Sequence, residues 1–248
     1  MTKYSGDQAG PVLVGRRGPA LWITLNRPAV RNAFNEEVLE LVADGIRAAT
    51  AERAVRAVVL TGVGDRAFCV GADLKPGVDG SVIKVDIAKP GHPDGHLFRL
   101  MEACPLPLIA RVNGDAMGAG VALVAGCDLA VAADTARFAA PEAKVGLFPM
   151  VVSPWLMRSV NRKIYFEMVL TGDPIDARTA HGAGLVNRVV SPAALDAAVA
   201  DLVDRIARAS AADIAAVKTA WRACQDMTVA ERLAYAEDVG AAARASPR

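Results

Sequence analysis

The chain has no CxxC pair, no GxSxG turn and no GK[ST] loop. Each absence removes a class of chemistry. The four cysteines, Cys69, Cys104, Cys127 and Cys224, stand far apart. They spell out neither a redox dithiol nor a zinc site and read as buried, reduced thiols of a cytosolic protein. A serine hydrolase of the α/β type would have no nucleophile elbow, and a P-loop nucleotide site is excluded. An excess of one charge is also missing: 28 Lys and Arg face 27 Asp and Glu, a net +1. That balance offers no bulk attraction to nucleic acid or to an anionic membrane, although a local basic rim could hold a phosphate-bearing ligand. The longest apolar run, Val121–Ala133, is interrupted by Asp128, whereas a membrane span needs about 20 apolar residues. The N-terminal MTKYSGDQAG lacks the apolar core of a signal peptide. These absences lead to an expectation of a cytoplasmic chain with no membrane or nucleic-acid partner.

What is present is a folded globular composition. Of 248 residues, 53% are hydrophobic and 22% charged, enough for a large core in one domain or one domain with a helical appendage. Val12–Val14 and Leu21–Leu25 read as strands around the turn Arg17-Gly18-Pro19. Asn35 is a candidate N-cap for a helix over Glu36–Arg53, with Val38, Leu39, Leu41, Val42 and Ile46 at helical spacing. Ala57–Thr61 is a continuous apolar strand of the kind covered on both faces. Leu97–Cys104 reads as a short helix, and Leu108–Val112 and Val186–Val190 as strands. Helices are expected over roughly 153–170, 176–182, 193–209, 211–224 and 228–243. Residues 75–96 are irregular and rich in Gly, Pro and Asp, as binding loops often are. Strand–helix alternation followed by helices favours an α/β or α+β core with a helical C-terminal part.

The chain is organised around Asn113–Glu142, NGDAMGAGVALVAGCDLAVAADTARFAAPE. We read it as strand end, tight turn, helix, strand, then a carboxylate returned beside the turn. Glycines at 114, 118 and 120 let backbone come close to a ligand. The first N–H groups of the following helix have no partner within it and sit at the positive end of its dipole, where an oxygen carrying negative charge can rest. The competing reading is close helix packing through small residues. Leu123 stands where a dinucleotide fingerprint needs its third glycine, so that reading is rejected. Glu142 lies among Phe138-Ala139-Ala140 and Val145-Gly146-Leu147-Phe148. A lone carboxylate in such surroundings has a raised pKa, which suits a proton shuttle; a helix-start glutamate or an ion pair remains the alternative. His92 and His96 are four apart, but Pro93 and Gly95 argue against the helix that would make them a zinc pair, and a solvated loop is expected. His181 reads as a surface or boundary residue. No metal site is expected.

Four blocks carry a resemblance: LWITLNRPAVRNA at 21–33, AVVLTGVGDRAFCVGADLK at 57–75, residues 107–142, and LTGDPIDARTAHGAGLVNRVV at 170–190. In order and spacing, over roughly residues 12–240, the chain resembles the enoyl-CoA hydratase/isomerase family, the crotonases. The resemblance implies a mixed α/β fold, a crotonase-like stack of ββα units over residues 1–190. A helical trimerisation part over 191–248 would follow, giving a homotrimer or a dimer of trimers. The implied chemistry is an enolate of an acyl-CoA thioester, with coenzyme A as part of the substrate and no permanently bound cofactor. The oxyanion would be held by the backbone N–H groups of Ala72, in the Gly-Ala-Asp motif, and Ala119, the middle position of the family's triple glycine. Glu142 of the Pro-Glu motif would move the proton. The resemblance further places Arg31, Ala33, Gly71 and Asp73 along the substrate's path, and likewise Leu74, Lys75, Gly118 and Pro141.

The chain also departs from the family's pattern. Hydratases of the family use two glutamates, and the first falls here at Ala122. Pro149-Met150-Val151-Val152 replaces a glycine-rich run, which should narrow the water side of the pocket. The chain stops at Arg248, about where the family's last helix would begin, so its contact with the adenosine of coenzyme A is not expected. One remaining acid favours a double-bond shift over efficient hydration. The alternatives are an acyl-CoA-binding or assembly subunit of weak activity, and another enolate reaction such as hydrolysis or decarboxylation.

Overall fold

The structure, a computed structural model, describes residues 10–73 and 93–245. The chain begins with the hairpin β1 (Val12–Arg17) and β2 (Ala20–Leu25), turned at Gly18 with φ 57°. Helix α1 (Glu36–Ala51) follows, then β3 (Ala57–Gly62) and β4 (Ala67–Cys69). Helix α2 (Pro93–Ala103), β5 (Leu108–Val112), β6 (Asp115–Met117) and α3 (Ala119–Gly126) come next. After them stand β7 (Leu129–Ala133), β8 (Arg137–Ala139) and a 3-10 turn at Pro141–Val145. The remainder is α4 (Val152–Ser159), α5 (Arg162–Thr171), β9 (Ile175–Asp176), α6 (Ala177–Ala183), β10 (Arg188–Val190), α7 (Leu195–Ala207), α8 (Ala211–Ala223) and α9 (Val229–Ala245).

The strands form two sheets. The larger runs β1-β2-β3-β5-β7-β10, parallel except for the β1–β2 pair. The smaller runs β4-β6-β8-β9, antiparallel only at β9. Each of β3, β5 and β7 is followed at once by a short strand of the other sheet, so the mixed α/β fold is a stack of ββα-like units. Strand side chains alternate between faces. Val58 and Leu60 enter the main core, while Ala57 and Val59 pack under Leu195, Val199 and Val203 of α7. That is why β3 is apolar throughout.

Local signals set α1. The Asn35 side chain accepts from the Val38 N–H at 3.1 Å, and Val38, Leu39, Val42 and Ile46 are buried. Two expectations need correction. The single helix over 153–170 is two, because Val160 is extended (φ −128°, ψ 157°) and Asn161 caps a new start by accepting from Lys163 and Ile164 N–H groups. The segment holding Pro93 and Gly95 is helical, not a loop, since proline at a first helical position loses no bond that a helix would have made. His96 is exposed there and lies 2.8 Å from an Arg47 nitrogen; His92 is outside the described residues. Among the described residues no helix is long and apolar enough to cross a membrane.

Candidate active site

Two glycines in conformations that side chains rarely adopt shape the site: Gly71 (φ 88°) after β4 and Gly118 (φ 53°) after β6. A Cβ on Gly71 would lie 3.1 Å from the Ala119 nitrogen and 3.0 Å from the Met117 oxygen. The missing side chain therefore leaves open the approach to the Ala119 amide. As the first residue of α3, Ala119 has no acceptor for its N–H within the helix.

The Ala72 amide is directed by pairing with Phe34. Phe34 N donates to Gly71 O at 3.0 Å, and Asp73 N donates to Phe34 O at 2.9 Å. With its neighbours' groups turned towards Phe34, the N–H of Ala72 faces the opposite edge of this short ladder. Among the described residues neither the Ala72 nor the Ala119 N–H has an acceptor. The two amides are held as neighbours by backbone contact between β4 and α3. A Cβ on Gly120 would fall 2.7 Å from the Cys69 carbonyl carbon and nearer still to its oxygen.

Glu142 returns to the same turn. Gly118 N donates to Ala139 O at 2.9 Å, which ties the turn to the end of β8, and Pro141 opens the 3-10 turn that carries Glu142. The Glu142 Oε1 atom would lie 3.2 Å from a Cβ on Gly118. Its Oε2 is buried without a hydrogen-bond partner, and Glu142 makes no ion pair among the described residues. Burial pushes its pKa above the ordinary glutamate value, opposed in part by its own backbone N–H. Such a carboxylate, its charge disfavoured by burial, can accept a proton and give it back.

Gly71, Ala72, Gly118, Ala119, Pro141 and Glu142 thus come together. Ala33 is buried beside Phe34, Asp73 receives an Arg27 guanidinium at 2.9 Å, and Arg31 is exposed in a left-handed turn (φ 53°). Leu74 and Lys75 lie outside the described residues. Ala122 is fully buried in the main core. Arg27 is a residue that the sequence reading passed over, although it stands in the first of the four blocks.

A cleft of about 470 Å³ lies elsewhere, walled by Trp155, Arg158, Lys218 and Trp221. Its cations are engaged: Lys218 with Asp128 at 2.5 Å, Arg158 with Glu102 at 3.0 Å, and Arg222 with the Glu102 carbonyl. Among the described residues no cluster of His, Cys, Asp or Glu could hold a metal ion.

A family model described as enoyl-CoA hydratase/isomerase matches residues 17–243. The 2,3-dehydroadipyl-CoA hydratase of Escherichia coli is 36% identical over 226 residues, 90% of this chain and 86% of that protein. The carnitinyl-CoA dehydratase of Proteus mirabilis is 33% identical over 87% of this chain and 81% of its own length. Among solved structures, an enoyl-CoA hydratase of Mycobacterium smegmatis superposes with a TM-score of 0.88 at 36% identity, covering 96% of this chain and 93% of that one.

Proposed function

The chain belongs to the enoyl-CoA hydratase/isomerase family, and on that premise we propose that it shifts the double bond of an enoyl-CoA thioester with one carboxylate. In this reading the thioester oxygen is received by the Ala72 and Ala119 N–H groups. Negative charge that develops on that oxygen is stabilised, so a proton on the acyl chain becomes acidic. Ionised Glu142 takes that proton from one carbon, the electron pair delocalises onto the oxygen as a dienolate, and the protonated carboxyl returns the proton to another carbon. The substrate gains and loses nothing else. One preorganised donor of this kind contributes about 3–4 kcal/mol to the transition state.

The observation that carries the proposal is the asymmetry of the site. Among the described residues Glu142 Oε2 is buried and unpartnered, while Ala122, where the resemblance puts a second acid, presents only a methyl group in the core. One acid can move a proton between two carbons. Placing water and protonating carbon together is served better by two. Water addition or removal is the second reading, favoured by two of the relatives, a hydratase and a dehydratase. We further propose that the protein works as a homotrimer or dimer of trimers in the cytoplasm. Support for assembly comes from exposed apolar side chains, Val217 and Trp221 one turn apart on α8, and Phe148 and Leu170.

The test is a panel of 2-enoyl and 3-enoyl CoA thioesters with mass detection. The proposal expects isomers of unchanged mass. Gain of one water as fast as the shift would replace it with the second reading, and binding without turnover of any thioester would overturn both.

A further inference from the structure

The Ala72 amide points where it does because a short bridge, one residue on each side, holds it. A bridge that short does not hold itself. Arg27 spans it. Its Nη1 donates to the Ala33 carbonyl at 2.6 Å, just before Phe34, and its Nη2 donates to Asp73 Oδ2 at 2.9 Å, just after Ala72. One guanidinium thus ties both chains of the bridge that flank Ala72. The pair is largely shielded, with side-chain exposures of 23% for Arg27 and 16% for Asp73, so solvent screens it less than a surface ion pair.

The base of this clamp is fixed as well. Arg27 N donates to Asn32 Oδ1 at 3.0 Å. Asn32, 1% exposed, donates in turn to the Val63 carbonyl at 3.0 Å and the Ala67 carbonyl at 2.8 Å. The guanidinium is therefore referenced to the ends of β3 and β4, the frame that also carries Gly71. A planar fork can serve two acceptors in set directions, and a lysine ammonium in its place would reach one of them.

We propose that Arg27 is a positioning residue: it sets the direction of the Ala72 N–H and so how strongly a bound thioester carbonyl is polarised. This rests on the reading that Ala72 receives the thioester oxygen. It touches no substrate atom itself.

The experiment uses the full chain with a CoA thioester labelled with carbon-13 at the thioester carbonyl, and reads the carbonyl stretch by isotope-edited infrared difference. In the parent, the bound carbonyl should absorb at lower frequency than in water. Arg27→Met should return the stretch towards its free value and lower kcat by about 10²-fold, the cost of a misplacement near 1 Å. KM should change by less than about threefold, since ground-state contacts along the rest of the ligand are kept. Arg27→Lys should fall between. Asp73→Asn, which keeps shape and removes the charge, gives a second route if Arg27→Met does not fold, and should move the stretch in the same direction. Folded variants that keep the parental stretch and kcat overturn the role of Arg27. A parent with no carbonyl shift on binding sinks the Ala72 and Ala119 reading, and this inference with it.

Discussion

Gly120→Ala tests the reasoning at its tightest contact. Gly120 sits one residue into α3, and the added methyl would meet the Cys69 carbonyl, its carbon at 2.7 Å where ordinary contact begins near 3.4 Å. The shortfall is 0.7 Å at that carbon and greater at the oxygen. Both sides are backbone, so no flexible side chain can turn away. Either α3 or the end of β4 must move, and those are the two segments that bring Ala119 and Ala72 together. Overpacking of a buried contact costs about 1–3 kcal/mol, and a clash between two main chains belongs at the upper end. For a chain of this length, 3 kcal/mol lowers Tm by roughly 6–12 °C. Separation of the two amides by close to 1 Å should lower kcat by about 10²-fold on any productive thioester. Calorimetry and steady-state turnover of the purified variant measure both. Gly15→Ala is the control, since a Cβ there meets nothing within 4 Å and the backbone is ordinary. Parental melting of Gly120→Ala would show that β4 and α3 do not pack this closely. Lowered Tm with parental kcat would show that the chemistry does not depend on their spacing.

Two further changes follow from the structure. Glu142→Gln should cut turnover by about 10²–10⁴-fold on the proposed chemistry, and it should also remove a pH dependence. The folded-state pKa of Glu142 is raised by burial, so between the ordinary glutamate pKa and the raised one the folded chain binds the extra proton. Parental stability therefore falls as pH rises through that window, and glutamine removes this loss. Melting curves of the two proteins should agree below the window and favour the variant above it; equal pH dependence would refute a buried, unpartnered carboxylate. Gly182→Ala lies in α6 with open space at its Cβ and no left-handed φ, so it should stabilise by about 0.5–1 kcal/mol, read as a rise in the denaturant midpoint.

Elements with local signals were legible. An asparagine cap and a helical stripe announced α1, and an unbroken apolar run announced β3. The second sheet was not legible as a sheet, because β4, β6, β8 and β9 have three residues or fewer, too few for alternation to show. They exist through pairing with one another, which no window of sequence contains. The break between α4 and α5 did carry a signal, an asparagine after a valine, but apolar residues on both sides hid it. At the site, the return of Glu142 to the 118 turn was readable from one continuous stretch. Arg27 was not, since its two partners lie 6 and 46 residues further on.

Two alanines one turn apart on α3 show why departures from a family pattern differ in weight. Ala119 stands where the resemblance puts a glycine, and the proposed chemistry asks that position only for an N–H. What the backbone needs there is supplied by Gly71 and Gly118, whose φ values of 88° and 53° are the conformations a side chain resists. A methyl at Ala119 leaves those untouched. Ala122 stands where the resemblance puts an acid, whose contribution would be its side chain, and no backbone group can stand in for a carboxylate. Main-chain function is thus encoded beside the position that performs it, and side-chain function at the position itself. On the proposed chemistry the first substitution is silent, and the second would narrow the reactions open to Glu142 to those that one proton carrier can complete.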